Sequence, residues 1–424
     1  MKNINENLTS RLSEEFEKIL KKFFSEEEVQ SFIKKINSDI LKTNNVSPLT
    51  NNVDNETLIT ESFFTSKLRL LSDRVITFAD KKLGKEKYYS FMLELGRLLI
   101  TEGEYNLATE IFNFLQKNSS DGNYQKSVKP ESMLALADIY CRQGLWKEAE
   151  LYIKKARLYF EKAMNSKGLG KCEHLMGTIY LEQGDLKAAK FRFENCLAYL
   201  NVKNDMLLVG MVEVNLGTIK YIEGDLEAAY NYYNNGLRIF EEEGDGRRTA
   251  EVKHNLGIIH IKKKEYESAL SVYDDCITFS LDSQYLPILG IAYLSKAIIY
   301  LEMEDLKKAA QYINRSMEIC YQINDKLSIA DIYKVKGIIS RKLNEFELSE
   351  DFLLTSLRLN RDLNNEHNYA ETAFELGQLY LDMGNKKEAD LFFNDSLEFY
   401  KKNNSKTQIA KIQSFLSIDT SNIN

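Results

Sequence analysis

One small residue recurs on a fixed beat through the chain: Gly96, Ala137, Gly177, Gly217, Gly257, Ala297, Gly337 and Gly377, spaced by 41 residues once and by 40 six times. The surroundings recur with it, as in Leu216-Gly217-Thr218-Ile219 and Leu256-Gly257-Ile258-Ile259. Such a period means tandem supersecondary units, each unable to bury its apolar side alone and each closed by its neighbours. Eight units run from about residue 86 to residue 403.

Seven residues after most anchors comes a glycine, Gly103, Gly144, Gly184, Gly224 or Gly384, and five further on a small residue such as Ala108, Ala149, Ala189, Ala229 or Ala389. Each unit therefore reads as helix A, a tight turn and helix B. In Gly184-Asp185 and Gly224-Asp225 the glycine ends one helix in the left-handed conformation and the aspartate accepts the unpaired N–H bonds of the next. Glu304-Asp305 keeps the cap without the glycine. Seven residues after the small residue of helix B a second one follows (Ala156, Cys196, Gly236, Cys276, Ser316, Ser356, Ser396), so that two backbones can approach closely.

With these residues in place, the chain resembles the tetratricopeptide-repeat family. Repeat three carries the family pattern at Met176, Gly177, Tyr180, Gly184, Ala189 and Phe193, and repeat eight at Leu376, Gly377, Tyr380, Gly384, Ala389 and Phe393. The period exceeds the usual 34 residues. Lys220, His260 and Ser340 replace the helix-A tyrosine, and neither the early tryptophan nor the closing proline is present. The longer repeat is similar to the branch containing Pins-type adaptors, kinesin light chains and Rap-type bacterial peptide receptors. The resemblance implies an all-α fold, a right-handed superhelical solenoid of about eight helix-turn-helix repeats with helical caps at both ends.

The ends depart from the beat. Leu12, Phe16, Ile19, Leu20 and Phe23 make one apolar stripe, and Ser25 with Glu28 forms a capping box for a second helix, giving a hairpin over residues 1–42. A polar, Asn-rich stretch with Pro48 reads as a linker or loop over 43–56, and a helix over 57–85 leads into the solenoid at 86–403. Residues 404–424 read as a capping helix, about Thr407 to Ile418, and a polar tail. The hairpin is either a cap on the open end of the stack or an effector or self-association module.

Composition narrows the function. A formal charge of −7 and the lack of any basic run argue against nucleic acid as partner. No apolar run approaches the length of a membrane span, and the charged N-terminus does not read as a secretory signal, so a soluble, cytoplasmic chain is expected. Cys141, Cys172, Cys196, Cys276 and Cys320 are scattered, and His174, His254, His260 and His367 show no metal-ligand spacing. No phosphate-binding glycine loop, nucleophile elbow or kinase set occurs. The acidic run from Glu241 to Asp245 reads as a helix end before a glycine turn, with Arg247 and Arg248 placed to pair with it. The expectation is a non-enzymatic chain with no cofactor and no metal.

The resemblance also implies where a partner would bind. In the family, helix A lines the concave groove at positions six and three before the anchor and one, four and five after it. Repeat three then presents Lys171, His174, Thr178, Leu181 and Glu182, and repeat four Met211, Val214, Thr218, Tyr221 and Ile222. Repeat five presents Glu251, His254, Ile258, Ile261 and Lys262; repeat six Ile291, Leu294, Ile298, Leu301 and Glu302; repeat seven Asp331, Lys334, Ile338, Arg341 and Lys342. The centre of this groove is apolar and its far end basic. Contiguous apolar surface asks for a cover. A partner peptide or protein, the chain's own hairpin or a second copy, and a superhelix tight enough to bury these positions are the three candidates. The expected role is a protein- or peptide-binding adaptor, with a Rap-like sensor, in which a bound peptide acts on the N-terminal module, as the alternative.

Overall fold

The computed structural model describes residues 16–43, 56–118, 124–201, 203–403 and 405–417. Most of the expected 43–56 linker, Leu12 of the first stripe and the polar tail from 418 fall outside them. Every regular element among the described residues is an α-helix. The chain divides into two compact units, residues 1–208 and 209–424.

The first unit opens with α1 (residues 16–23), α2 (Glu26–Thr43) and α3 (Glu56–Lys82). Three repeats follow, α4 (Lys85–Thr101) with α5 (Tyr105–Asn118), α6 (Tyr124–Arg142) with α7 (Trp146–Lys162), and α8 (Ser166–Glu182) with α9 (Leu186–Tyr199). The capping box forms as its spacing predicts: Glu28 N–H donates to Ser25 Oγ at 3.4 Å and Ser25 N–H to Glu28 Oε2 at 3.2 Å. Phe16, Leu20 and Phe24 bury against Val75 and Ala79 of α3 and Phe91 and Leu95 of α4. The hairpin thus packs on the helix that opens repeat one, with Phe23 edge-on to Phe91 at 5.5 Å and Lys22 paired to Glu94 at 3.0 Å.

The second unit contains α10 (Met206–Ile222) from its first turn onward, then α11 (Leu226–Glu242), α12 (Gly246–Lys262), α13 (Tyr266–Asp282) and α14 (Leu286–Glu302). The series continues with α15 (Leu306–Gln322), α16 (Lys326–Lys342), α17 (Phe346–Asp362), α18 (Glu366–Asp382) and α19 (Lys386–Lys402), and ends at α20 (Lys406–Leu416). Ile412 of α20 is fully buried with Phe393 and Tyr400, and Phe415 meets the rings of Phe374 and Phe393, each at 5.4 Å.

The 40-residue beat resolves into two equal halves. The helices α7, α8 and α10 through α19 are each 17 residues long. Left-handed residues stand 20 apart at Gly144, Met164 and Gly184, and again from Gly224 through Gly244, Lys264, Gln284, Glu304, Asn324, Asn344 and Asn364 to Gly384. The next residue is often the cap. Asn165, Asp185, Asp225, Asp245, Asp305, Asp325, Asn365 and Asn385 each accept a bond from the N–H three residues on, at 2.9 to 3.3 Å. The A-to-B and B-to-A joints are therefore the same turn. The joint after α9 differs, since that helix stops at 14 residues and its cap, Leu200, is extended.

The anchors have a steric cause. A Cβ on Gly177 would stand 2.6 Å from the Phe193 ring, and one on Gly217 or Gly257 would stand 2.8 or 2.6 Å from Tyr233 or Tyr273. The ring in each case sits 16 residues downstream on helix B. Where the anchor is alanine, at Ala137 and Ala297, the residue 16 on is the slimmer Ile153 or Ile313, in the same core cluster. The second small position allows side-chain bonds to the facing backbone: Ser316 Oγ donates to Gly290 O at 2.8 Å and Cys276 Sγ to Ala250 O at 3.3 Å. All five cysteines are buried and free, and burial pushes the thiols of Cys141, Cys172, Cys196 and Cys276 up to about 12.

Candidate binding face

Within each unit successive A helices touch one another, α4 with α6 and α6 with α8 in the first, α12 with α14, α14 with α16 and α16 with α18 in the second. Successive B helices do not approach to that extent, so the A helices form the inner side of each stack. The expected groove residues are carried on that side, and packing treats them differently.

In the first unit, Lys171 reaches Glu131 at 2.7 Å, and Glu131 is also held by Arg97 at 2.6 Å. Arg97 pairs in turn with Glu94 at 3.0 Å, which receives Lys22 of α1. A ladder of alternating charge therefore runs from the hairpin through α4 and α6 to α8. Thr178 is half-buried, its hydroxyl donating to His174 O at 3.1 Å. His174 is only 7% exposed, its ring 5.9 Å from Phe193, and so is a packing residue rather than a groove residue.

In the second unit the position three before the anchor leans onto helix B. Val214 Cγ2 lies 2.6 Å from where a Cβ on Gly236 of α11 would stand. The His254 ring faces Tyr273 of α13 at 5.8 Å. Leu294 and Leu301, 7% and 6% exposed, join Ile329 and Ile332 of α16 in a core cluster, with Ile298 and Ile338 packed beside them. The expectation that Leu294 and Leu301 face a ligand is corrected: adjacent A helices here come close enough to bury both. Ile261 also packs against the core cluster of α13 and α14. Met211, Tyr221, Ile258 and Ile291 are half-buried, and Ile222 is 55% exposed.

The far end is not a free basic surface. Lys334 bridges Asp331 at 3.1 Å and Glu371 at 2.7 Å, while Arg341 holds Glu375 at 3.0 Å, Asp382 at 3.2 Å and the Gln378 side-chain carbonyl at 3.1 Å. Burial raises the Glu375 carboxyl even against the pull of Arg341. The separations of these pairs, 37 residues for Lys334 and Glu371 and 34 for Arg341 and Glu375, are close to one repeat, a signal the sequence offered.

In the second unit, buried phenols of the B helices hydrogen-bond toward the A helices. The Thr218 and Tyr233 hydroxyls stand 3.2 Å apart, and the Tyr273 hydroxyl donates to His254 O at 3.5 Å. Burial, reinforced by the nearby Tyr221 phenol, raises the phenols of Tyr233 and Tyr273. His254 Nδ1 is enclosed with no hydrogen-bond partner, and burial lowers the imidazole to about 4, so the ring is neutral. Among the described residues no three metal-binding side chains converge, and no helix is long and apolar enough to cross a membrane.

Tetratricopeptide-repeat family models match residues 208–282 and 328–402, and 132–158. No curated protein matches the chain in sequence. Among solved structures, the apo form of the quorum sensor NprR from B. thuringiensis is similar with a TM-score of 0.57 at 14% identity, over 80% of this chain and 96% of that one. A Rap protein complexed with competence and sporulation factor gives 0.54 at 12%, over 77% and 96%. Aspartyl phosphate phosphatase F from Bacillus subtilis gives 0.53 at 12%, over 88% and 98%. With the anchors, joints and caps described above, the chain carries tetratricopeptide repeats at residues 132–158, 208–282 and 328–402 within a 40-residue period, and shares the helical-repeat fold of these structures.

Proposed function

We propose that the chain is a non-catalytic adaptor that binds a peptide or protein segment through the inner side of its A helices. The observation that supports this reading is that Met211, Tyr221, Ile258 and Ile291, expected on the inner side of the A helices, stay half-buried after the repeats have packed. The similar Rap structure is one complexed with competence and sporulation factor, which supports the scaffold's suitability for a bound partner. The histidines are engaged in packing or in turns: His260 Nδ1 meets Glu265 at 2.7 Å beside the α12 joint. A similar structure is nevertheless named as a phosphatase, so dephosphorylation of a phospho-aspartyl substrate is the activity to measure, with no turnover expected.

The test is affinity capture on the full chain, with Tyr221→Ala plus Ile222→Asp as the control. Ile222 is exposed and Tyr221 half-buried, so the double variant should keep its helical content, whereas an aspartate at Ile261 would strike the core. Partners retained equally by wild type and variant would refute inner-face binding. The sensor reading has its own support in the ladder Lys22, Glu94, Arg97, Glu131 and Lys171, which joins the hairpin to three repeats. Lys22→Ala would then alter the affinity for a captured partner; an adaptor with an inert cap would bind unchanged.

A further inference from the structure

We propose that the outward side of α7, extended by the start of α9, docks an acidic amphipathic helix of a partner protein. The surface belongs to B helices and stands independently of inner-face binding. Lys147, Leu151, Lys155, Leu158 and Lys162 follow one another in steps of four, four, three and four residues, so they share one stripe of the helix. The stripe lies opposite the buried Ala149, Ile153, Ala156 and Phe160. Leu151 and Leu158 are 50% and 58% exposed, and the three lysines are exposed with them. On α9, exposed Lys187 and Phe191 stand at the offsets of Lys147 and Leu151.

The common register of the repeats makes these five positions comparable along the chain. On α11 they hold Glu227, Asn231, Asn235, Arg238 and Glu242, and on α13 Glu267, Ser271, Asp275, Thr278 and Asp282. No B helix of the second unit carries two apolar residues and only basic charge there. The same helix pairing is thus built with polar and acidic side chains at these positions, so packing does not require leucine or lysine on the outside of α7. Exposed leucines at fixed spacing that the fold does not use point to a second molecule.

Charge selects its chemistry. Together α7 and α9 hold eight Lys and Arg against four Glu, in a chain of net charge −7. Among the described residues the ion pairs of α7 are Lys154 with Glu150 at 3.0 Å, and Arg157 with Glu161 at 2.9 Å and with Glu173. Lys147, Lys155 and Lys162 are left without a carboxylate, Lys155 resting 5.1 Å from the Tyr152 ring. On α9, Lys190 has Glu194 at 3.8 Å and Arg192 has Glu173 at 3.1 Å, and Lys187 has neither. Leucines seven residues apart form the seam of a two-helix contact, and unpaired lysines between them ask for carboxylates across it, which also speed encounter. A lipid surface fits less well, because it takes a broad apolar face, whereas these leucines make a line one residue wide with Glu148 and Glu161 on its flanks.

Random peptides of about 16 residues, roughly the length of α7 as a helix, would be displayed on phage and selected on the full-length protein, discarding those that bind Leu151→Ser/Leu158→Ser equally. Retained peptides are expected to carry more Asp and Glu than Lys and Arg, with aliphatic residues seven apart. As synthetic peptides they should lose about tenfold in affinity between roughly 0.05 and 0.5 M salt. Lys155→Glu should weaken them by about tenfold at low salt and much less at high salt, whereas Leu158→Ser should weaken them by about tenfold at both. Both side chains are exposed, so thermal melting of the variants should match wild type. Tyr221→Ala/Ile222→Asp should bind these peptides unchanged, which keeps this outcome separate from that of inner-face binding. No retained peptide, retained peptides without an acidic excess, or affinity indifferent to Lys155→Glu would overturn the proposal. Sedimentation of wild type, and not of Lys155→Glu, with phosphatidylserine-containing vesicles would overturn it in favour of a membrane surface. A dimer in sedimentation velocity that Leu158→Ser abolishes would overturn it in favour of a second copy of this chain.

Discussion

Replacing Gly177 by alanine and Phe193 by isoleucine installs in repeat three the anchor pair that repeats two and six use. Alone, the alanine methyl would stand 2.6, 2.7 and 2.9 Å from three ring atoms of a fully buried phenylalanine. Overpacking of that kind costs about 1 to 3 kcal/mol, set against a gain of about 1 kcal/mol for alanine over glycine inside a helix. The single variant should therefore lose up to about 2 kcal/mol. Phe193→Ile alone empties part of a close-packed site and loses the ring contact with His174, for about 1 to 2 kcal/mol. Together the methyl fills what the ring vacated, and the double variant should lie within about 1 kcal/mol of wild type, a favourable coupling of roughly 1 to 3 kcal/mol. Hydrogen exchange across α8 and α9 reads this locally, as a repeat stack need not open as one unit. Additivity within about 0.5 kcal/mol would refute the claim that anchor size answers ring size.

Arg341→Ala should destabilise by about 3 kcal/mol or more by leaving Glu375 buried without its cation, and adding Glu375→Gln should recover most of it in urea unfolding. His254 is held neutral in the fold, so the unfolded chain binds a proton more readily between the ordinary value of 6.5 and about 4. Stability should fall as pH drops through that window, by at most about 3 kcal/mol from this group, and a denaturation series on His254→Gln should fall less. Met164 is 90% exposed at φ 49°, so Met164→Gly should raise stability by about 1 kcal/mol in the same assay by removing the strain of a left-handed side chain.

The repeats were legible because sterics wrote them into residue type: a glycine wherever a ring must pass, a small residue seven further along helix B. The 20-residue half-period was harder to see. Met164, Lys264, Gln284 and Glu304 occupy left-handed joints that glycine fills elsewhere, and a side chain tolerated at a strained φ leaves no mark in the sequence. The inner side was legible by position and misread by environment. Leu294 and Leu301 stand at the same offsets as Val214 and His254 and as Tyr221 and Ile261, and their packing with α16 buries them. Lys334 and Arg341 looked like free cations because, apart from Asp331, their carboxylates lie 34 to 41 residues away.

Identical joints between helices of identical length make residue count, more than residue identity, the quantity this chain must keep. One residue deleted inside a 17-residue helix turns everything beyond it by about 100°, moving the next anchor off its ring and the next cap off its N–H. Substitutions act at one address; a deletion misaddresses the whole unit. The count varies once, in the 41-residue step from Gly96 to Ala137 that spans the joint after the 14-residue α5; the other 14-residue helix, α9, keeps the 40-residue step but ends in the extended Leu200. A tag or reporter inserted after residue 200 would leave the phase of every helix on either side intact, whereas the same insertion one half-period later, inside α10, would not.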